Sequence, residues 1–364
     1  MTMPGGAELA RQFHAEVVGP LLARDRPGLR YAAGRLGSGS DVLGYDDEMS
    51  RDHDWGCRLT LLVDEADRAA VPGVTALLED HLPETFAGLP VRFRATWQDD
   101  IRHQVCIATV ADFAVSRLGV DPTRPLSVTD WLILDSQAVL EITAGPVFAD
   151  RTTALRPARA ALRWYPADVE RYVLAAGWRR IEQQLPFVGR TAGRGDELGS
   201  RLLSAQLAGD VVALAFLVSR QWAPYAKWRG TALAALPVAG RLRGPLDAAL
   251  TGASWREREE GLAVACEVLL AGQRERGLPG PAQAITMFWD RPYRTVDLAV
   301  AESLLAGITD PAVRRLPGGA GSAAQWIDSV DVLASPSRRA ALASVYQAWS
   351  GDRDGDEKLR TGPP

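Results

Sequence analysis

Cysteine is scarce in this chain. Its 364 residues include three, Cys57, Cys106 and Cys266, far apart and without a C-x-x-C pair. Neither a disulfide framework nor a zinc knuckle is expected. Histidine is rarer still for a metal-binding protein: four in all, with His14, His81 and His103 at no metal-ligand spacing. No run of about 18 uncharged apolar residues occurs, so no transmembrane helix and no membrane partner are expected. The first ten residues lack a basic n-region and an apolar h-region, so no signal peptide is read and a cytoplasmic location is expected. Also absent are G-x-x-x-x-G-K-[ST], G-x-S-x-G and H-E-x-x-H, which removes P-loop NTPases, α/β-hydrolases and zincins. Nor is there a basic surplus: 41 Lys and Arg against 45 Asp and Glu give a net charge of −4. That balance argues against nucleic acid as a partner while leaving room for a local basic patch.

What is present fits a globular chain. Apolar residues make up 47% and charged residues 24%, and the length corresponds to roughly two domains. Leu9, Phe13, Val17 and Leu21 fall at helical spacing, so residues 8–24 predict an amphipathic helix broken near Gly19-Pro20. Residues 29–37, 53–63, 91–97 and 105–110 read as strands, with a hairpin loop between the last two. Helices are expected at 71–81, 111–119 and 127–143. The character changes near Gly145-Pro146. Beyond residue 164 the periodic segments are helical, at 166–185, 196–221, 230–236, 253–276 and 336–350. Asp168 and Asp196 read as early-turn or cap acids. The expected domains are an α/β unit over 1–150, a helical bundle over 151–350 and a polar tail over 351–364.

One stretch carries a chemical signal: Gly37-Ser38-Gly39-Ser40-Asp41, then Gly44-Tyr45-Asp46-Asp47-Glu48, then Ser50-Arg51-Asp52-His53-Asp54-Trp55-Gly56. Glycine and serine after a strand let the backbone approach a ligand closely and offer N–H and hydroxyl donors of the kind phosphate oxygens need. Asp52 and Asp54, two apart at the start of the expected strand, would point to one face. Two carboxylates on one face repel unless a cation lies between them, and hard oxygens suit Mg²⁺, which takes one or two carboxylates plus substrate phosphates. His53 would face the other way, as a structural hydrogen-bonding residue. Asp46, Asp47 and Glu48 read as a solvated loop or as a supporting shell.

This stretch resembles the signature of the nucleotidyltransferase superfamily, in which Gly-Gly or Gly-Ser precedes Asp-x-Asp or Asp-x-Glu by about 9–13 residues. The gap to Asp52 is 11 residues from Gly39-Ser40 and 13 from Gly37-Ser38. More narrowly, it is similar to an uncharacterised bacterial nucleotidyltransferase-like family with a G-S-G-S-D…G-x-D-D-E-x-S-R-D-H-D-W-G stretch. Residues 162–169 (LRWYPADV), Arg194-Gly195-Asp196, Ser219-Arg220-Gln221-Trp222, Pro224-Tyr225-Ala226-Lys227-Trp228 and Arg291-Pro292-Tyr293-Arg294 extend the likeness over about residues 5–300. The resemblance implies an α+β fold: an N-terminal mixed sheet flanked by helices, then a helical bundle like that of aminoglycoside nucleotidyltransferases. It implies magnesium-dependent transfer of an NMP from a nucleoside triphosphate to a small-molecule or other acceptor, with pyrophosphate release. Asp52 and Asp54 would be catalytic and ligate the metal. Gly37, Ser38, Gly39, Ser40 and Lys227 would contact nucleotide phosphates, with Arg51, His53, Cys106 and Tyr225 in support.

The chain departs from that pattern at one point. Active members of the superfamily carry a third carboxylate on a later strand, yet residues 91–97 and 105–110 contain no acid. Cys106 stands about where the related family has a glutamate, and a thiol is too soft for Mg²⁺. Cys106 reads as a small buried hydrophobe, with a repurposed catalytic thiol as the other reading. Trp222, Tyr225 and Trp228 read as core packing or as a base-stacking group. Two alternatives therefore stand beside the transferase: a catalytically degenerate nucleotide- or partner-binding protein, and a tailoring enzyme of specialised metabolism on the same scaffold.

Overall fold

Along residues 58–63, Leu59, Leu61 and Val63 alternate with Arg58, Thr60 and Leu62. A strand's period of two sends the two sets to opposite faces. That alternation organises the N-terminal half of the protein. The computed structural model describes residues 4–51, 54–96 and 99–351. In chain order the elements are α1 (Gly6–Phe13), α2 (Gly19–Asp25), β1 (Tyr31–Gly34), β2 (Arg58–Val63), α3 (Val71–His81), β3 (Thr85–Phe86), β4 (Leu89–Pro90), β5 (Arg92–Phe93) and β6 (Arg102–Thr109). Then come α4 (Val110–Leu118), α5 (Val128–Ile133), α6 (Ser136–Thr143), β7 (Val147–Asp150) and α7 (Leu155–Ala161). The remainder is α8 (Ala167–Ala192), α9 (Glu197–Val218), α10 (Ala226–Leu233), α11 (Ala239–Thr251), α12 (Trp255–Glu275), β8 (Ile285–Met287), β9 (Arg294–Val296) and α13 (Leu298–Ala306). Four short helices follow: α14 (Pro311–Arg314), α15 (Val330–Leu333), α16 (Pro336–Ala341) and α17 (Ala343–Gly351).

The chain forms two units. The first comprises residues 1–126, 135–163 and 334–337, the second 127–134, 164–333 and 338–364. The first holds a five-stranded mixed sheet in the order β5-β6-β2-β1-β7. β2 pairs parallel with β6, and antiparallel with β1, which pairs antiparallel with β7. Leu59 and Leu61 of β2 and Val105 of β6 pack with Leu9 and Phe13 of α1 and Val74 and Leu78 of α3 in one apolar core. Their neighbours Arg58, Thr60, Gln104 and Cys106 occupy the other face, in the register Arg58↔Gln104 and Thr60↔Cys106. Just past β2, buried Asp64 accepts hydrogen bonds from Thr153 N at 2.9 Å and Ala154 N at 3.1 Å. It thereby satisfies backbone donors at the start of α7 and fixes that helix beside β7.

The second unit is helical, its core built on the long antiparallel pair α8 and α9, with α11, α12 and α13 around them. Helix α9 is long and apolar enough to cross a membrane by length and composition. Its polar groups are tied within the unit: buried Ser204 Oγ donates to Ala249 O at 2.7 Å, and Asp210 pairs with Arg180 at 2.8 Å. Asp196 caps α9, accepting from Gly199 N at 2.7 Å. Asp168 instead satisfies a distant loop, accepting from Thr309 N at 2.8 Å and Asp310 N at 2.7 Å.

Several elements differ from the sequence reading. The expected break at Gly19-Pro20 is a π-helical turn over His14–Val18, closed by Gly19 N on His14 O. Pro20 has no N–H to continue the α pattern, and the wider turn absorbs that loss. The expected strand over 53–63 begins only at Arg58, and that over 91–97 contracts to β5. The helix expected over 127–143 is two helices, because Asp135 leaves helical geometry to accept from Ala138 N and cap α6. Strand β7, helix α11 and the β8–β9 hairpin were not anticipated: each is short or interrupted by proline or glycine, and β7 finds its partner only far back in the chain, at β1. The C-terminal segment 352–364 lies outside the described residues.

Glu170, near the start of α8 and 1% exposed, gathers the second unit's chain. It accepts from Trp164 Nε1 at 3.0 Å and Arg220 Nε at 2.9 Å, and pairs with Arg276. Burial alone would raise its pKa; the hydrogen bonds from Arg220 and Arg276 outweigh burial and hold it below the usual carboxylate range. A carboxyl lowered by folding contributes stability above its unfolded pKa and loses it as pH falls through the folded value. Glu170→Gln should therefore lower stability by about 2–3 kcal/mol at neutral pH, and by progressively less below pH ~4. Thermal melts of both proteins across pH 3–7 measure this; a pH-independent difference would contradict it.

Candidate functional site

The Gly37–Ser40 turn is shaped by a buried ion pair. Arg35 and Asp41 are 2% and 6% exposed. Their contact is two-pronged, Nε to Oδ2 at 2.6 Å and Nη2 to Oδ1 at 2.8 Å. The remaining guanidinium donors reach Leu36 O and Ser38 O, each at 2.8 Å. The segment 36–41 thus wraps around one planar cation, the geometry a guanidinium fork favours. Gly39 sits at φ +138°, and a Cβ there would lie 2.2 Å from Asp41 Oδ1 and 2.5 Å from Arg35 Nη2. Only glycine allows the chain to pass so close to its own ion pair.

The turn leaves donors over. Gly37 N donates to Glu141 O at 2.7 Å, and Val42 N, Leu43 N and Gly44 N donate to Gly39 O, Ser40 O and Asp41 O. The N–H groups of Ser38, Gly39, Ser40 and Asp41 donate to no acceptor among the described residues. N–H groups left without a partner in this way are donors of the kind an anion needs.

Cations gather at the same place. Arg58 Nη2 donates to Ser38 Oγ at 3.2 Å and Nη1 to Asp54 O at 3.3 Å. Arg117 of α4 packs on Gly37, its Nη2 3.4 Å from where a Cβ would be, and lies 3.5 Å from Glu141 Oε2 of α6. Burial, followed by repulsion from Arg35, pushes Arg58 down to about 9, while Asp41 opposes the shift; the side chain is still a cation at neutral pH. Glu141 is raised by burial against the attraction of Arg117. Cys106 belongs to the same recess. Its side chain reaches solvent rather than lying buried as the sequence suggested. The surrounding protein raises its pKa, and Arg117 and Arg58 only partly reverse that. The two arginines thus do not activate the thiol as they would a reactive cysteine, which disfavours it as a nucleophile.

The carboxylate pair is placed differently from the sequence expectation. Asp54 stands in a turn four residues before β2, not on the strand. Its Oδ1 accepts from Thr96 N and its Oδ2 from Thr96 Oγ1, both at 2.7 Å. The aspartate tethers the chain beyond β5 to the approach to β2, which is why the strand begins late. Asp52 and His53 lie outside the described residues. Arg51 rests over the Trp55 ring at 5.1 Å. Asp46 accepts from Gly6 N at 2.7 Å, tying the loop to the start of α1, and Asp47 accepts from Ser50 N at 2.9 Å within its own turn; both are structural roles. Lys227 and Tyr225 belong to the second unit. Lys227 is exposed, its ammonium 4.9 Å from the Trp228 ring centroid; Tyr225 is exposed at the cap of α10. Trp222 packs on Trp164 and Tyr165 with centroids 4.8 and 4.6 Å apart. The first unit thus brings together Ser38, Gly39, Ser40, Arg58, Arg117, Cys106 and Glu141. Sequence reasoning missed Arg35, Arg58, Arg117 and Glu141. An arginine between an apolar strand and a glycine turn was the available signal for Arg35, whereas Arg117 and Glu141 arrive from helices with no local mark.

Similarity to known proteins is limited. The family model described as a domain of unknown function (DUF4037) matches residues 131–229. That span runs from α5 into α10 and does not include the Gly37–Ser40 turn. No curated protein matches. A solved structure of a nucleotidyltransferase-like protein from Exiguobacterium sibiricum is similar at 13% identity and a TM-score of 0.32, covering 74% of this chain and 78% of that one.

Breaking the Arg35–Asp41 pair leaves one buried charge uncompensated. Arg35→Met and Asp41→Asn should each cost about 3–5 kcal/mol, and the double variant should cost less than their sum because the partners are coupled. Chemical denaturation of the three variants checks this; additive losses would refute the coupling.

Proposed function

We propose that the first unit binds the phosphates of a nucleoside triphosphate at the Gly37–Ser40 turn, and that the chain transfers its NMP group to an acceptor, small-molecule or other. The observation carrying this reading is the run of four N–H groups at residues 38–41, left without acceptors beside Arg58 and Arg117. Backbone donors and guanidinium groups together complement a polyphosphate. The motif resemblance supplies the reaction class. An acceptor oxygen attacks the α-phosphorus, the bond to the β-phosphate oxygen breaks and pyrophosphate leaves. In this reading Glu141 takes the acceptor's proton, a task suited to a carboxyl whose pKa lies above the ordinary range. Arg58 and Arg117 balance the charge that moves to the leaving group.

Magnesium belongs to this proposal through Asp54 and Asp52. Asp54 offers hard oxygens of the right chemistry, but both are hydrogen-bonded to Thr96. No group of three or more His, Cys, Asp or Glu side chains able to hold a metal occurs among the described residues. The same facts favour a second reading, nucleotide binding without turnover, in which Asp54 serves the fold and Cys106 marks a lost carboxylate.

Pyrophosphate release from each NTP, assayed with magnesium and a panel of hydroxyl acceptors, separates the two readings. Turnover that Asp52→Ala abolishes supports the transferase; nucleotide-dependent thermal stabilisation without pyrophosphate supports the binding protein; neither response sinks both. If turnover is found, it should rise with pH through a value above the usual carboxylate range, as Glu141 ionises. Glu141→Gln should lower the rate by about 10²–10⁴-fold and remove that limb of the pH profile. An unchanged profile would exclude Glu141 as the proton acceptor.

A further inference from the structure

A second cationic feature lies on the first unit, at β7. This strand is an edge of the sheet, so no neighbouring strand covers its outer side. Between β7 and α7 runs an open groove of about 670 Å³. Its apolar lining includes Val147, Phe148 and Leu155, and its cationic lining is Arg156, Arg159 and Arg163. The three arginines are arranged differently. Arg159 is anchored, donating to Thr143 O and to Gly145 O at 3.1 Å. Arg156 and Arg163 are exposed and make no ion pair, side-chain hydrogen bond or ring contact with described residues. Among the described residues that line the groove the one acid is Asp150, which accepts from Thr152 N at 3.0 Å and Thr152 Oγ1 at 2.7 Å. Three guanidinium groups therefore face one carboxylate that already has two donors of its own.

We propose that this groove binds an extended peptide segment in which acidic and apolar residues alternate. The charge surplus calls for carboxylates, and guanidinium is the side chain that pairs with them most specifically. The apolar lining calls for side chains that a bare polyphosphate does not have. An extended chain meets both demands, since its successive side chains point to opposite sides. A single strand of nucleic acid gains affinity from stacking on aromatic platforms, and Phe148 is the one aromatic residue among the described residues of the lining. The groove is separate from the Gly37–Ser40 turn, so this inference stands or falls independently of the transferase reading.

Fluorescence anisotropy with the full-length protein and a labelled Val-Glu-Val-Glu-Val-Glu peptide tests it. Saturable binding is expected, with no binding of the Val-Lys counterpart. Arg156→Glu/Arg163→Glu should weaken binding at least about tenfold, the equivalent of about 1.4 kcal/mol. Arg156→Gln/Arg163→Gln, which removes charge without reversing it, should weaken it in the same direction if the first variant melts early. Absence of saturable binding, or equal binding by both variants, would overturn the proposal. So would a dT hexanucleotide or tripolyphosphate that binds as tightly and loses affinity in the same variants, since the ligand class would then be phosphate.

Discussion

The first unit depends on the ion pair between Arg35 and Asp41. A guanidinium in the interior is tolerable only when its charge and its donors are matched, and here a carboxylate and two carbonyls supply that match. The backbone from Leu36 to Asp41 has little choice of path around such a centre. That path makes Gly39 obligatory, holds Ser38 within reach of Arg58 and leaves four amides of the turn without an acceptor among the described residues. The features that suit the turn to an anion are thus consequences of satisfying one buried cation.

Much of the architecture could be read from the chain. The alternation in β2, the helical periodicity of α3, α8, α9 and α12, and the cap at Asp196 are local signals, and they produce the expected elements. The α+β organisation followed from them. What escaped was set by distance. Strand β7 is only four residues long, directly follows Gly145-Pro146 and acquires its identity by pairing with β1 more than a hundred residues earlier. The aspartate motif invited a strand because Asp-x-Asp resembles alternation, yet Asp54 bonds Thr96 and β2 starts at Arg58. The same limit applied to the site. The glycine-serine turn was legible as a phosphate-type loop, because glycine there has a steric meaning. Arg117 and Glu141 were not, because the helices that carry them give no local hint of reaching the turn.

Two chemical readings of the recess are opposed in a way that geometry clarifies. A cysteine at the position of an expected carboxylate suggests either decay or a new thiol chemistry. A Cys106 whose pKa its neighbours do not lower leaves little support for the thiol reading. Glu141 brings a carboxyl to the same face from a helix rather than a strand. The recess is therefore not devoid of acid; its acid is placed beside a cation and arrives by another route.

The division of the chain between the two units also has a temporal side. Residues 127–134 belong to the second unit although they interrupt the first, and 334–337 return to the first after the second is almost complete. On the ribosome, the first 126 residues deliver β1, β2, β5 and β6, four of the five strands of the main sheet. Strand β7, which covers the flank of β1, follows only after α5 has been made for the other unit. During that interval β1 is an uncovered edge of a nascent sheet, a state in which strands pair with the wrong partner. The arrival of the sheet's last strand therefore moves the open edge from β1 to β7, whose flank carries the charged groove beside α7.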